Sequence, residues 1–439
     1  MDDVVSARPR WWSFAVGRPN FRRLWCAQSV SVFGSQVSLI AFPLIAISLL
    51  DASVSEVGML ASLERAPFLL FGLIAGVLVD RWRPRLVLLI TDWIRAAVLG
   101  LIPVAAFFDV LSIEWLFVIT FAVGSCTVFF DIAYQSVLTS VVESGDLLTA
   151  NRWLETSRSV AEMSGPGVAA GLLKVVSVPV SIAVDALSFA FSALFVHSIR
   201  SAESVPSKAP RDPSTRDASI WSEFKAGLRY IRETSFLRWN AAIGASWNLL
   251  YQALLAVFFV YLARDLDLSA TNVAIVVLAG SFGAVLGVLA MGRINKWCGL
   301  GWGIVLSMCM TSAGGILLAT ADGSSLPAIA IVGFGFMLIN ASQPIFNVNV
   351  ISIRQMITPD HLMGRTTAAI RFLVWGALPI GALIGGFLGE AFGTRSTIVV
   401  IGAGFLIPAV MTLISPIRRI RDISDVGTKK SEQTTSKEG

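Results

Sequence analysis

Two acids in this chain, Glu64 and Asp185, stand deep inside long apolar runs. A carboxyl moved from water into apolar surroundings holds its proton more tightly. Such a group takes a proton where it is dry and releases it where it is wet, which is the chemistry of coupling a proton to a movement. Glu64 is the leading candidate for proton coupling and Asp185 the second. Arg65 cuts both ways. It can pair with Glu64, or face elsewhere, about 100° round a helix.

A second set of charges is shallower. Asp80, Arg81 and Arg85 sit in a short bridge between two apolar runs; Asp92, Arg95 and Asp131 lie inside the runs that follow. Charges within apolar runs cost roughly 2.5 to 3.5 kcal/mol on insertion scales and default to functional hypotheses. At about 1.5 Å per residue, Asp92 and Arg95 lie about 9 to 14 Å from the loop end of their run. They are i, i+3 neighbours, so a helix lets them pair. We read Asp80, Arg81, Arg85, Asp92, Arg95 and Asp131 as one charge network, which Arg158, Glu162 and Arg371 can join. Gating and plain structural neutralisation both fit it.

A third set is neutral. Trp247, Asn248 and Gln252 share one apolar run, Asn340, Gln343 and Asn347 another, and Gln28 and Gln36 the first. With Arg65, these suit a cavity for a bulky amphipathic molecule, aromatics giving area and amides orientation. Helix-to-helix hydrogen bonding fits each amide equally well, and ordinary packing fits Trp247. Other chemistries lack parts. Cys26, Cys126, Cys298 and Cys309 are scattered, and His197 and His361 are far apart, so no metal site is expected. No phosphate-binding loop appears. No cofactor is expected, a proton gradient being the energy source. No nucleophile and base arrangement suggests an enzyme.

The elements that position these groups follow from composition. The chain has 439 residues, 55% hydrophobic and 14% charged, with a mean hydropathy of +0.73. A soluble domain carries about 25% charged residues. The apolar residues fall into twelve runs near the length that spans a bilayer as a helix: 25–49, 54–79, 86–108, 113–138, 155–176, 177–197, 237–262, 270–292, 300–320, 326–351, 366–389 and 394–416. Backbone in lipid must satisfy its own hydrogen bonds, so the runs are read as helices. The first is expected to be a retained span, since no cleavage site follows a short apolar core. The expected fold class is an all-α membrane protein.

Lysine and arginine segregate by loop. One set, 80–85, 198–236, 293–296, 354–365 and the tail after 416, holds nearly all the positive charge. The opposite loops hold Lys174, Arg264 and Arg395, with acids such as Asp51, Glu56, Asp109 and Glu390. The positive-inside rule then places both termini in the cytoplasm of a cell-membrane protein. The net charge of +5 reflects this topology and not nucleic-acid binding. Segment 198–236 is Pro/Ser-rich at first and then reads "WSEFKAGLRYIRE", with Trp221, Phe224, Leu228 and Ile231 on one face. It is expected to be a linker followed by an interfacial helix on the inner leaflet. The organisation read from this is an N-terminal segment 1–24, a six-helix bundle 25–197, the linker 198–236, a second bundle 237–416 and a tail 417–439.

The two bundles resemble each other. "FGLIAGVL" at 71–78 matches "FGAVLGVL" at 282–289, "GVAAG" at 167–171 matches "GALIG" at 381–385, and "GDLLTANR" resembles "PDHLMGRT". The offsets, about 211 to 214 residues, indicate an internal duplication. The matched glycines form GxxxG pairs that let helices approach closely: Gly72/Gly76, Gly167/Gly171, Gly283/Gly287 and Gly381/Gly385. Static packing and surfaces where the halves meet and slide both fit them.

"GVLVDRWRPR" at 76–85 closely resembles the loop signature of the major facilitator superfamily at Gly76, Leu78, Asp80, Arg81 and Arg85. Arg83 and Pro84 depart from it. "RAPFLLFGLIAGVLVDRW", "DWIRAAVLGLIP", "FFDIAYQSVL", "GPGVAAG" and "FKAGLRYIRE" resemble its drug:proton antiporter branch, which contains macrolide-efflux and enterobactin-exporter-like proteins. The resemblance implies twelve transmembrane helices in two six-helix repeats. It implies a central cavity, proton-coupled export of a small organic molecule and a monomer. An uptake carrier and a non-transporting receptor or scaffold of the same fold are the rival readings.

Overall fold

The computed structural model describes residues 17–143, 146–199 and 220–420. The placement of Gly76, Asp80 and Arg81 beyond their helical backbone, and that of Trp221, lies outside the described residues. The first six spans are α1 (Pro19–Ser48), α2 (Val54–Arg81), α3 (Pro84–Phe107), α4 (Ile113–Val141), α5 (Leu147–Leu172) and α6 (Val178–Ser198). After α7 (Ile220–Glu233) come α8 (Ser235–Val260), α9 (Ala270–Leu318) and α10 (Leu326–Ile357). The last two spans are each broken, into α11 (Asp360–Trp375) with α12 (Ala377–Phe392), and α13 (Thr394–Gly404) with α14 (Leu406–Ile414).

Among the described residues, nine helical stretches are long and apolar enough to cross a membrane. The charged spans α2 and α5 are not among the nine, and α9 appears once though it crosses twice. Its 49 residues would make about 74 Å of helix, against a hydrocarbon core of about 30 Å. Gly299, at φ 80, breaks it. We call the end where α1 begins and α14 stops the terminal end, and the opposite one the far end.

Local chemistry sets the boundaries. Ser53 caps α2 by accepting from Glu56 N–H at 3.2 Å, while the Glu56 carboxylate accepts from Ser53 N–H at 2.7 Å, a reciprocal capping box. Pro84 starts α3, where its missing N–H costs nothing, so a two-residue bridge suffices after α2. Near Gly376, Pro379 cannot donate to the ladder, and Asn248 Nδ2 donates to Val374 O at 2.9 Å.

The differences from the sequence reading that bear on the site concern helix ends and faces. The fifth span starts at Leu147, not 155. α11 starts at Asp360, before the apolar run at 366. The described part of α7's apolar face packs against protein. Phe224 and Ile231 are buried, Phe224 meets the Phe372 ring edge-on at 5.2 Å, and Tyr230 OH donates to Ile357 O at 3.3 Å. α11 and the end of α10 give that face a protein surface to cover.

The glycine pairs behave differently in the two halves. A Cβ on Gly283 or Gly287 would strike the carbonyls of Met337 and Ala341 on α10; one on Gly381 or Gly385 would strike those of Leu249 and Ala253 on α8. These pairs pack helices within the second half. In the first half Gly72 and Gly171 meet nothing within 4 Å, and Gly167 only touches the Leu278 side chain. Gly167 thus touches the second half through a side chain only; the backbone-to-backbone glycine contact between the halves is elsewhere, where a Cβ on Gly58 of α2 would come within 2.6 Å of Gly386 Cα on α12.

Candidate functional site

A cavity of about 980 Å³ lies between the halves, toward the terminal end. Its walls come from α1, α2, α4 and α5 on one side and α11 on the other. α2 can be followed along one face: Glu64, Phe68 and Gly72 recur at helical spacing. Gly72 leaves room in the wall and Phe68 lines it. Phe68 meets Trp375 edge-on at 5.7 Å, and Leu69 reaches Gly376 at the helix break. These four residues, two from each half, cover the inner end of the cavity like a roof. Arg371 lies over the Trp375 ring at 5.6 Å.

Glu64 sits one turn beyond the roof, half-exposed, 3.1 Å from the Arg65 guanidinium. Asp185 is elsewhere. It is 2% exposed, between α6 and α1, and accepts from Ser38 Oγ at 2.5 Å, Ser188 Oγ at 3.1 Å and Ser35 Oγ at 3.4 Å. It does not line the cavity.

The expected charge network divides into parts. Asp92 accepts from Arg95 at 2.5 Å and from Ser192 Oγ at 2.6 Å. The Arg95 guanidinium lies 4.4 Å from the Phe130 ring centroid and 4.1 Å from that of Phe189. The pair is almost fully enclosed by α3, α4 and α6. Arg85 instead donates to the carbonyls of Val196 and His197 at the end of α6. Asp131 is open to the cavity, within electrostatic reach of Arg95 and Arg158. Arg158 pairs with Glu162 at 2.8 Å.

The neutral set is mostly engaged within the second half. Trp247 is buried and stacked on Tyr251 at 4.8 Å and on Phe346. Asn340 donates to Phe336 O at 2.8 Å and accepts from Tyr251 OH at 3.2 Å. Gln252 is buried, Gln343 half-buried and Asn347 exposed. None of these lines the cavity in this conformation. Gln36 packs its stem on Gly165. Gln28 does line the cavity, and its Oε1 is buried without a hydrogen-bond partner among the described residues. No cluster of described His, Cys, Asp or Glu could hold a metal ion.

At the far end the halves are joined. Arg264 pairs with Asp51 at 2.7 Å, and the Glu390 carboxylate accepts from Val54 and Ser55 N–H. Nearer mid-membrane, Ser281 Oγ donates to Glu162 O at 2.9 Å.

A family model described as the Major Facilitator Superfamily matches residues 24–378. The chain belongs to the major facilitator superfamily. It is similar to the multidrug efflux pump Tap of Mycolicibacterium fortuitum, 26% identical over 406 residues, covering 89% of this chain and 94% of that one. It is also similar to macrolide efflux protein A of Streptococcus pyogenes, 22% identical over 402 residues, covering 91% and 97%. Among solved structures, a mutant of the nucleoside transporter NupG shares the fold with a TM-score of 0.72 at 12% identity, covering 90% of this chain and 99% of that one. A bacterial homologue of the human lysosomal transporter Spinster, inward-facing and unoccupied, gives 0.68 at 13%, covering 94% and 98%.

In this superfamily member the sequence reading passed over much of the cavity wall. Asn151, Arg152 and Glu155 were the residues missed: Asn151 and Glu155 repeat at i, i+4 and i+7 with Arg158, already placed in the charge network, so the three share one face of α5 and line the cavity beside Arg152. That spacing was the available signal. Phe68, Phe372 and Trp375 carried none, since aromatics facing a cavity and aromatics facing lipid read alike.

Proposed function

We propose that this protein exports small amphipathic organic compounds, such as drugs, antibiotics or siderophore-like molecules, from the cytoplasm in exchange for protons. It works by alternating access, as a monomer in the cell membrane with both termini inside. The observation that carries the reading is the cavity. Its volume, about 980 Å³, is at the upper end of the drug-sized range. Phe68, Phe372 and Trp375 offer apolar area, while Asp131, Glu155, Arg152 and Arg371 offer charge of both signs. Efflux pumps and macrolide exporters as relatives over most of the chain support the same reading. Because one chain forms both walls, a monomer suffices.

Orientation follows from the segregation of lysine and arginine. The terminal end faces the cytoplasm, so the cavity loads from inside while the far-end contacts close the other side. The Phe68–Trp375 roof separates substrate from that closure. Glu64, on the same face of α2 one turn further on, is the proton-carrying acid. Ionised, it holds Arg65; protonated, it releases it.

The test has two stages. Cells producing the protein should accumulate less of a fluorescent amphipathic drug than cells without it; greater accumulation would mean uptake, and no difference would sink the export reading. In liposomes, Glu64→Gln protein should let drug equilibrate but not concentrate it against an imposed proton gradient. Normal proton-for-drug exchange by that variant removes Glu64 from the mechanism and leaves the carrier standing.

A further inference from the structure

We propose that the far-end closure is a latch between α2 and α12 in which Glu390, a residue of one half, completes the helix cap of the other. Glu390 Oε2 accepts from Val54 N–H at 2.9 Å and from Ser55 N–H at 3.3 Å. A helix leaves its first N–H groups without partners inside itself. At α2 the account closes fully. Glu56 N–H goes to Ser53 Oγ and Val57 N–H to Ser53 O at 3.1 Å. The two donors left over, Val54 and Ser55, go to Glu390. The carboxylate therefore meets a specific vacancy in α2's own cap, and its negative charge suits the positive end of the helix.

Two further contacts hold the same seam. Gly58 and Gly386 bring the two helices together backbone to backbone. Val54 and Gly58 are i, i+4 on α2, and Gly386 and Glu390 are i, i+4 on α12, so one face of each helix makes the whole contact. Beside it, Arg264, in the π-helical turn Tyr261–Asp265 that follows α8, pairs with Asp51, just before α2. The polar members are water-exposed, and exposed charge contacts are individually weak. When the seam parts, water replaces Glu390 at two N–H groups, so opening leaves no buried donor unsatisfied. Such a contact can hold the far end shut in the resting protein and still release within a transport cycle. Glu390 is thus a positioning residue: it sets which side the empty carrier faces, whatever the substrate or coupling ion.

The experiment measures that preference without substrate. In full-length protein with Cys26, Cys126, Cys298 and Cys309 replaced by alanine, spin labels go at Val110 and Ser324, exposed far-end positions in the first and second halves. Electron-resonance distances are recorded in lipid nanodiscs. Glu390→Gln should raise the ratio of far-apart to close populations by roughly two- to fivefold, the scale of a charge at a helix end. Glu390→Ala, which also removes the acceptor, should raise it more, and Glu390→Asp, which keeps the charge, less. An unchanged distribution in Glu390→Gln and Glu390→Ala overturns the latch. So does a shift in Glu390→Asp as large as in Glu390→Gln, since charge would then be irrelevant. The readout needs neither drug nor proton gradient, so failure of the exporter reading would not produce either result.

Discussion

The two six-helix halves share a fold but use polar residues differently. The first half keeps charge inside its spans: Glu64 with Arg65, Asp92 with Arg95, Arg158 with Glu162, Asp131 open to the cavity and Asp185 among serines. The second half, Arg371 and Arg354 apart, keeps neutral groups there and closes them on its own frame. Asn248 and Asn340 donate to carbonyls, Asn295 and Asn349 exchange a pair of hydrogen bonds at 2.7 and 3.0 Å, and the glycines of its two GxxxG pairs lie against backbone. One half carries groups that can change charge state; the other is built to stay as it is. In a carrier that moves as two bodies, a stiff half gives the chemically active half something to move against.

The largest expected effect tests whether all first-half charges are alike. Asp92→Asn would leave the Arg95 cation enclosed between Phe130 and Phe189. Stranding one member of a buried pair costs about 3 to 5 kcal/mol. The variant should therefore show a much lower thermal midpoint, and Asp92→Leu combined with Arg95→Met should recover most of it. Asp185→Asn strands no cation, and serine hydroxyls can hold an amide as well as a carboxylate, so its cost should be near 1 kcal/mol. Equal losses for Asp92→Asn and Asp185→Asn would show that Asp185 has a counter-charge after all.

Next in size are the glycines. Gly287→Ala and Gly385→Ala push a methyl into a neighbouring carbonyl, an overpacking that costs about 1 to 3 kcal/mol. Gly72→Ala and Gly171→Ala meet open space. Thermal unfolding followed by size-exclusion recovery should separate the two pairs cleanly. If all four lose stability alike, the second half is no stiffer than the first.

The spans were readable because lipid imposes a length and a composition on each crossing. What the sequence could not carry is where the surroundings are something other than lipid. α5 begins at Leu147, but the turns through Asn151 and Arg152 face a cavity and not lipid, so they look like loop. α7 has the pattern of a membrane-surface helix, yet Phe224 finds Phe372, and only the third dimension says so. Asp92 and Arg95 announce their pairing by spacing, but not that Ser192, Phe130 and Phe189 enclose them. For Trp247 and Asn340 both the cavity and the packing alternatives were open; in this conformation their partners come from α8 and α10. Pattern identifies a polar residue in a span, while its partners decide whether it is chemistry or mortar.

The smallest effect concerns the one place where the second half brings charge to the cavity. Among the described lining residues Arg371 is its only ionised side chain, facing a first-half wall that holds Asp131, Glu155, Arg152 and Arg158. Arg158 is already paired with Glu162. Neutralising Arg371 therefore leaves the two acids opposed mainly by Arg152. A cationic drug should then bind better and an anionic one worse. The Arg371→Gln change also removes a cation from the Trp375 face, freeing that ring to receive a drug cation. Each contribution is about 0.5 to 1 kcal/mol at a wet site, so apparent affinities should move roughly two- to fivefold in opposite directions. Export assays with a matched pair of cationic and anionic dyes read this directly. A common shift for both dyes would mean that Arg371 shapes the wall without giving it a sign, and the charge selectivity would belong to the first half alone.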